Sequence, residues 1–420
     1  MINNKFLIIF YLLTFSLFAN EGNLRFPMAF ENANVLPKGI RNVQIRNGQY
    51  VARDKYDNDG NVQNLGAPLN KDVKFLDFVD AQETEFKKGQ LQGALKAGGV
   101  SENDIAGETT GQVQIDIDAQ VPIFAYGVTE KWTTAFAIPI VTTKVDIKTG
   151  FKSSGTSDSF VSQEFVSKGL RNKAYEMQSK TDQAIKRKLR RYDYDDDLED
   201  REETRLGDIV LVNKYNVIKN KKSVLTLRGD LVLPTGETTD VDRAVDVGSG
   251  DGQMDIGIGG AYTYFLNDTF SLTTFLSYTN QMAAYGVDRR IPEKASTKVT
   301  PDIDRNTRVD LGDQYIGQIY LSAKIGETPF TLMGGFHAAL KEEDRYSGDK
   351  YSSRRYNYLN RDTDQEMHAT LAGMTFSTVG MFRRGEFKVP LQISLMGTNV
   401  YRGRNAIKDN LTSFEFSLFF

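Results

Sequence analysis

From Gln112 to Pro122 the chain reads QVQIDIDAQVP. Val113, Ile115, Ile117, Ala119 and Val121 fall on one side of an extended backbone; Gln112, Gln114, Asp116, Asp118 and Gln120 fall on the other. A period of two marks a strand with unlike faces. The split returns in SVLTLRGDLVLP, where Leu225, Leu227, Leu231 and Leu233 oppose Thr226, Arg228 and Asp230. In QMDIGIGGAYTYF, Met254, Ile256, Ile258, Tyr262 and Tyr264 oppose Asp255, Thr263 and three small residues, Gly257, Gly259 and Ala261. Shorter versions are FSLTTFLSY, VPLQISLM and the final SFEFSLFF, in which Phe414, Phe416, Leu418 and Phe420 share a face. The pattern predicts about twelve strands, centred near residues 45, 117, 137, 212, 229, 259, 275, 319, 335, 372, 393 and 416. Faces are mixed in those near 45, 212 and 372.

Short turns are expected at Ala125–Glu130, Ile218–Lys222, Asn267–Thr269, Gly326–Thr328 and Phe382–Glu386. Long polar connections are expected at about 51–111, 148–207, 235–252, 280–310 and 341–366, so short and long alternate along the chain. A soluble sandwich or propeller would hide the apolar face, whereas a transmembrane barrel would turn it to lipid around a polar lumen. The barrel is favoured on three grounds. Tilted strands of about 9–11 residues match a bilayer. Trp132, Tyr215, Tyr264, Phe265, Phe270, Phe330 and Phe420 cluster beside the short turns, as a girdle at one interface would. The short turns all fall on one side. A closed ring also leaves no strand edge to pair with other chains. The fold class is therefore all-β, an antiparallel up-and-down transmembrane barrel of about twelve strands. Long loops face outward and short turns face the periplasm. The last strand closes against the first, near Asn42–Tyr50.

The composition narrows the chemistry. The chain has 420 residues, 40% of them hydrophobic, with 52 basic and 55 acidic side chains, which excludes a bulk nucleic-acid binder. Without cysteine there are no disulfides, thiolate sites or thiol nucleophiles. Lys5 precedes the apolar run Phe6–Ala19, which is shorter than the roughly 20 residues a spanning helix needs and ends on a small residue. It is read as a secretory signal peptide over residues 1–19, an uncleaved anchor being the alternative. Residues 20–38 then form a periplasmic segment and partial plug, and 39–420 the barrel.

Candidate site residues come from the polar faces. Arg46, Asp116, Asp118, Arg228, Asp230 and Glu415 are expected near mid-height on inward faces, with Arg46 between Glu415 and the Asp116/Asp118 pair. On a lipid face each charge would cost ~2–4 kcal/mol near the midplane. They form either a solute filter or a structural network filling a narrow lumen. His337 is expected to face inward. Neither it nor His368 has a Ser/His/Asn grouping around it, only Thr370 and Ser377 near His368, so a hydrolase is disfavoured. No cofactor and no metal are expected. DNDGN (57–61) lacks the first and last carboxylates of a calcium loop, with Lys55 and Gly66 at those places. The acidic run Asp193–Glu203, after the basic Lys186–Arg191, is either solvated surface or a divalent-cation bridge to lipopolysaccharide. A short helix is expected within Arg171–Leu189, and no phosphate loop in Gly248–Gly260.

LPKG (36–39), YGVTEKWTTAFAIPIV (126–141), GDIVLVNKY (207–215), LVLPTGE (231–237) and GSGDGQMDIGIGGAYTYFLND (248–268) carry a resemblance. They resemble the outer-membrane transporter family named for the meta-pathway of phenol degradation, relatives of the long-chain fatty-acid channels. The resemblance spans scattered hairpins over about half the chain. It departs from the fatty-acid channels, which have more strands and a fuller plug than Asn20–Val35 can supply. It implies small hydrophobic or aromatic solutes; the expected function is a non-enzymatic bacterial outer-membrane channel, passive because the sequence shows no nucleotide site or energy-coupling segment. Implied partners are outer-membrane lipids, lipopolysaccharide, the solute, and the barrel-assembly machinery through the C-terminal strand. The alternative is a surface-exposed structural or adhesion barrel with a blocked lumen.

Overall fold

Period-two strands with one oily face solve their edge problem by closing on themselves, and the computed structural model shows that closure. It describes residues 23–24, 26–80, 84–162, 189–195, 200–295 and 300–420. Twelve antiparallel strands pair in chain order. They are β1 (Arg41–Ala52), β2 (Ile105–Gly127), β3 (Trp132–Ala137, continuing as Ile140–Ser153), β4 (Arg201–Leu206, continuing as Ile209–Lys219), β5 (Ser223–Leu233) and β6 (Asp255–Phe265). The ring continues through β7 (Phe270–Gln281), β8 (Gln314–Lys324), β9 (Phe330–Lys341), β10 (Gln365–Ser377), β11 (Leu391–Arg404) and β12 (Asn410–Phe419). β1 completes it, pairing Ile45 with Phe416 of β12 and with Pro122 of β2. Beyond the last paired residue, the Phe420 N–H donates to the Arg41 carbonyl (3.0 Å) and its carbonyl accepts from the Arg41 N–H (2.8 Å). The backbone seam thus runs to the final residue.

The faces alternate as the strands demand. Leu227, Ile258, Leu276 and Phe336 are 53–65% exposed on the outside of the ring, while their neighbours Thr226, Phe275 and His337 are buried inside. Burial stabilises by about 25 cal/mol per Å² of apolar surface, so a ring with such a belt belongs in lipid rather than water. Trp132, Tyr215, Tyr264, Phe270 and Phe420 are exposed, and Phe330 is half-buried against Phe376, all next to short turns. Those turns are residues 128–131, 220–222, 266–269 and 325–329, with a longer one at 378–390 that holds the helix Val379–Arg383. The long connections lie at the other end. Strict alternation fails once, because 405–409 is a tight connection on the long-loop side.

The wall is interrupted at one height. Pro139 has no N–H for a ladder, so β3 breaks there, and β4 breaks opposite at Gly207–Asp208. The Gly207 N–H donates to the Pro139 carbonyl (2.8 Å). The 234–254 connection seals the break. Gly236 N–H donates to Asp208 Oδ1 (2.9 Å), and Ser249 Oγ to the Leu206 carbonyl (2.6 Å). A Cβ on Gly250 would lie 2.5 Å from Asp208 Oδ1 and 2.8 Å from the Gly236 Cα, so the seal leaves no room for a side chain there.

Beyond this break the barrel continues outward as a filled cup. Ala52, Leu65, Leu69, Val113, Ile115, Val145, Ile147, Leu189, Tyr194 and Val245 form an apolar core inside it. This corrects two candidate residues. Asp116 and Asp118 face outward, not into the lumen, because the apolar face of β2 turns inward at this height to meet that core. Asp118 pairs in register with Gln49 and accepts from its side chain (2.7 Å), and Asp116 accepts from Gln114 (2.8 Å). Neither pairs with Arg46. Two further cores cap the long-loop end. Phe75, Val79, Leu91, Leu95, Ala106 and Phe160 make one; Ile291, Val309, Leu311, Tyr346 and Tyr356 make the other. The signal-peptide stretch and residues 171–188 of the expected loop helix lie outside the described residues, as do Asp196–Glu199 of the acidic run.

Candidate functional site

The described residues of segment 20–38, expected as a periplasmic stretch and partial plug, lie inside the ring. They run through the ring from one end to the other. Leu24 N–H donates to Gln365 of β10 (2.8 Å), at the long-loop end of its strand. Leu36 N–H donates to Thr133 of β3 (2.7 Å), beside the 128–131 turn. Between them, Thr398 donates to the Pro27 carbonyl (3.3 Å) and Gln318 to that of Ala29 (3.4 Å). Gln318 also accepts from Glu31 N–H (3.0 Å), and the Tyr320 hydroxyl donates to the Glu31 carbonyl (2.8 Å). Lys214 donates to the Asn32 carbonyl (3.2 Å), and Thr226 to that of Ala33. Among the described residues, each of these bonds has a wall side chain at one end; none belongs to a backbone ladder.

Side chains of the segment seat in matching recesses. Phe26 packs on Tyr50 with ring centroids 4.6 Å apart, and Phe30 on Tyr320 at 4.8 Å. Met28 lies over Gly48, where a Cβ would meet its Cε at 2.5 Å, and Phe30 lies over Gly373, where a Cβ would meet its ring at 2.8 Å. Glycine on the inner face is here a socket for a large side chain of the segment.

At mid-height the segment meets the charges. Glu31 is 2.8 Å from Arg228 and 3.8 Å from Lys214. Arg228 Nε holds both oxygens of Asp230 at 2.8 Å. Arg46 pairs with Glu415, its register partner on β12, at 3.0 Å, and also acts electrostatically on Glu31 and Lys214. Of the six expected lumen charges, Arg46, Glu415, Arg228 and Asp230 face inward; Asp116 and Asp118 do not. Glu31 and Lys214 join the cluster. The inward placement of Lys214 follows from register, since it lies opposite Arg228 across the β4–β5 pair. Glu31 sits in a stretch with no periodicity, so only its charge among aromatics could have flagged it.

The remaining candidates resolve into structural roles. His337 is buried and faces inward beside Gln318 (3.5 Å). His368 faces outward on Glu366 (2.6 Å). Neither histidine bonds a serine among the described residues. Asp57 of DNDGN accepts from the N–H groups of Asp59 (2.9 Å) and Asn61 (2.8 Å), which is a turn. Glu203, at the end of the acidic run, pairs with Arg205 and Arg243. Among the described residues no group of three His, Asp or Glu is placed to hold a metal ion. A cleft of about 570 Å³ lies among Pro301–Asn306, Lys350 and Tyr351 on the long loops, away from the lumen. Its carboxylates are engaged, Asp302 by Arg355 (2.6 Å) and Asp304 by Tyr356. Burial, then the Asp304 partner, pushes the Tyr356 hydroxyl up to about 12.

No curated protein matches the chain. Among solved structures it is similar to the COG4313 outer membrane channel from Pseudomonas putida F1, at 12% identity with a TM-score of 0.50, over 94% of this chain and 100% of that one. It also matches a Pseudomonas aeruginosa FadL homologue (7% identity, TM-score 0.31, 91% and 90% covered). A third match is the P. putida toluene transporter TodX (8%, 0.34, 91% and 90%). The first likeness shows the fold, that of an outer-membrane channel barrel, in keeping with the closed ring and its outward apolar belt. Residues 99–360 match the family model described as "Putative MetA-pathway of phenol degradation", well over half of the chain, and the protein belongs to that family.

Proposed function

We propose that this barrel is a passive outer-membrane channel, closed in this state by its own N-terminal segment. One observation carries the reading: the described residues from Leu24 to Leu36 run through the lumen, and the hydrogen bonds described above each have a wall side chain at one end. The segment can therefore leave without unzipping a strand ladder. A ring of twelve strands is wider than the roughly eight that side chains alone fill, so its departure would uncover a path. Small hydrophobic or aromatic solutes are the proposed cargo, consistent with the family's description. Lipopolysaccharide around the outer belt and the assembly machinery at the last strand are the proposed partners.

A second reading is a structural or adhesion barrel with a blocked lumen. The apolar core filling the outer cup favours it. Planar-bilayer conductance and uptake of an apolar probe such as toluene into vesicles separate the two. The channel reading expects intermittent unitary openings and probe uptake that needs no energy source. Silence in both, with correctly folded protein, favours the blocked barrel.

A further inference from the structure

Glu31 occupies a place that is built for a carboxylate. Arg228 offers it a guanidinium N–H at 2.8 Å while Asp230 holds the other edge of that guanidinium at 2.8 Å. Lys214 approaches from the neighbouring strand at 3.8 Å. The Arg228 and Glu31 side chains are only 19% and 23% exposed, so this exchange takes place in a largely dry setting. Charge within the cluster balances only with the segment in place. Arg46, Lys214 and Arg228 face Glu31, Asp230 and Glu415; withdrawing Glu31 leaves three cations against two carboxylates. A cluster left one charge positive in a low-dielectric space attracts a monoanion. A phosphate-like dianion fits less well, because Asp230 stays in contact with Arg228.

The walls define the rest of the ligand. Ala33 packs with Ala261 and Phe275, flanked by Val224 and Ile316. The Arg228 guanidinium lies 5.8 Å from the Phe275 ring centroid. When the segment leaves, Phe30 also uncovers the face of Tyr320. The vacated space is cationic at one end and apolar or aromatic along its side.

We propose that this place is a carboxylate subsite of the lumen, and that its ligand is a small aromatic or short apolar monocarboxylate which takes the position of Glu31 when the N-terminal segment withdraws. The inference rests on the reading of that segment as a displaceable closure.

The test is calorimetric titration of the detergent-solubilised full chain with sodium benzoate, and with benzyl alcohol as the neutral analogue. Wild type, Glu31→Gln and Glu31→Gln/Arg228→Gln are compared, with Glu31→Gln/Lys214→Met as a second probe of the cations. Heat-shifted gel mobility verifies that each is folded. Glu31→Gln should bind benzoate at least about tenfold tighter than wild type, the size of one charge-assisted hydrogen bond. Benzyl alcohol should not change by that factor, and losing either cation should remove the gain. A Glu31→Gln protein that binds benzoate no tighter than wild type, or gains equally for benzyl alcohol, overturns the subsite. Bilayer conductance keeps the two ideas apart. A benzoate gain in a protein that never conducts upholds the subsite and defeats the channel. Conductance without a benzoate gain does the reverse.

Discussion

Deleting residues 23–36 should raise unitary conductance several-fold over the full chain and make openings persistent. The segment runs the height of the ring, from Gln365 to Thr133, and its carbonyls engage Thr398, Gln318, Tyr320, Lys214 and Thr226 along the way. No ladder of the wall depends on it, so the ring should still close and keep its heat-shifted mobility. Single-channel recording in planar bilayers checks this. A deletion variant that folds and conducts no more than the parent would mean that the outer apolar core, not the segment, blocks the path. A graded version is Gly48→Leu, which fills the Met28 socket and should raise open probability without removing any residue.

Leu276→Arg should cost ~2–4 kcal/mol of folding stability in lipid, the known penalty for a cation on the outer belt near the midplane. Leu276 is 65% exposed on β7, and its neighbours across the pairs are Gly260 and Gly317, so no side chain there can shelter a guanidinium. Urea titration of the refolded barrel in lipid vesicles measures the change. Leu276→Ala provides the control, since it removes the same bulk without adding charge and should cost far less. Equal losses for the two would mean that Leu276 packs against protein rather than hydrocarbon.

The ring itself was readable because a strand advertises its faces in every second residue. Each of the twelve expected centres falls within a barrel strand, including those near 45, 212 and 372 whose faces look mixed. The mixing has a cause at two of them. β1 carries Arg46 and Gln44 inward while Asn47 and Gln49 face out, and β4 is broken at Gly207–Asp208. The inverted placement of Asp116 and Asp118 shows the limit of the pattern. Alternation reports that one face is oily, not whether the oil meets lipid or a core of loops, and β2 is long enough to do both. The segment 23–36 was less legible still. Its hydrogen-bond partners lie on six strands spread from Thr133 to Thr398, and no local period encodes contacts made one residue at a time. Glu31 becomes meaningful only once register brings Lys214 and Arg228 to the same height.

The N-terminal segment is seated inside the ring. The chain has no cysteine, so Met28→Cys introduces a sole thiol at the point where Met28 rests over Gly48. The direct measurement is the labelling rate of that thiol by a maleimide polymer too bulky to enter the barrel, in folded protein in lipid vesicles. Strong protection is expected, relieved by adding Glu31→Gln or by unfolding. Labelling of the folded Met28→Cys protein as fast as the unfolded chain would place the segment outside the lumen and contradict the account.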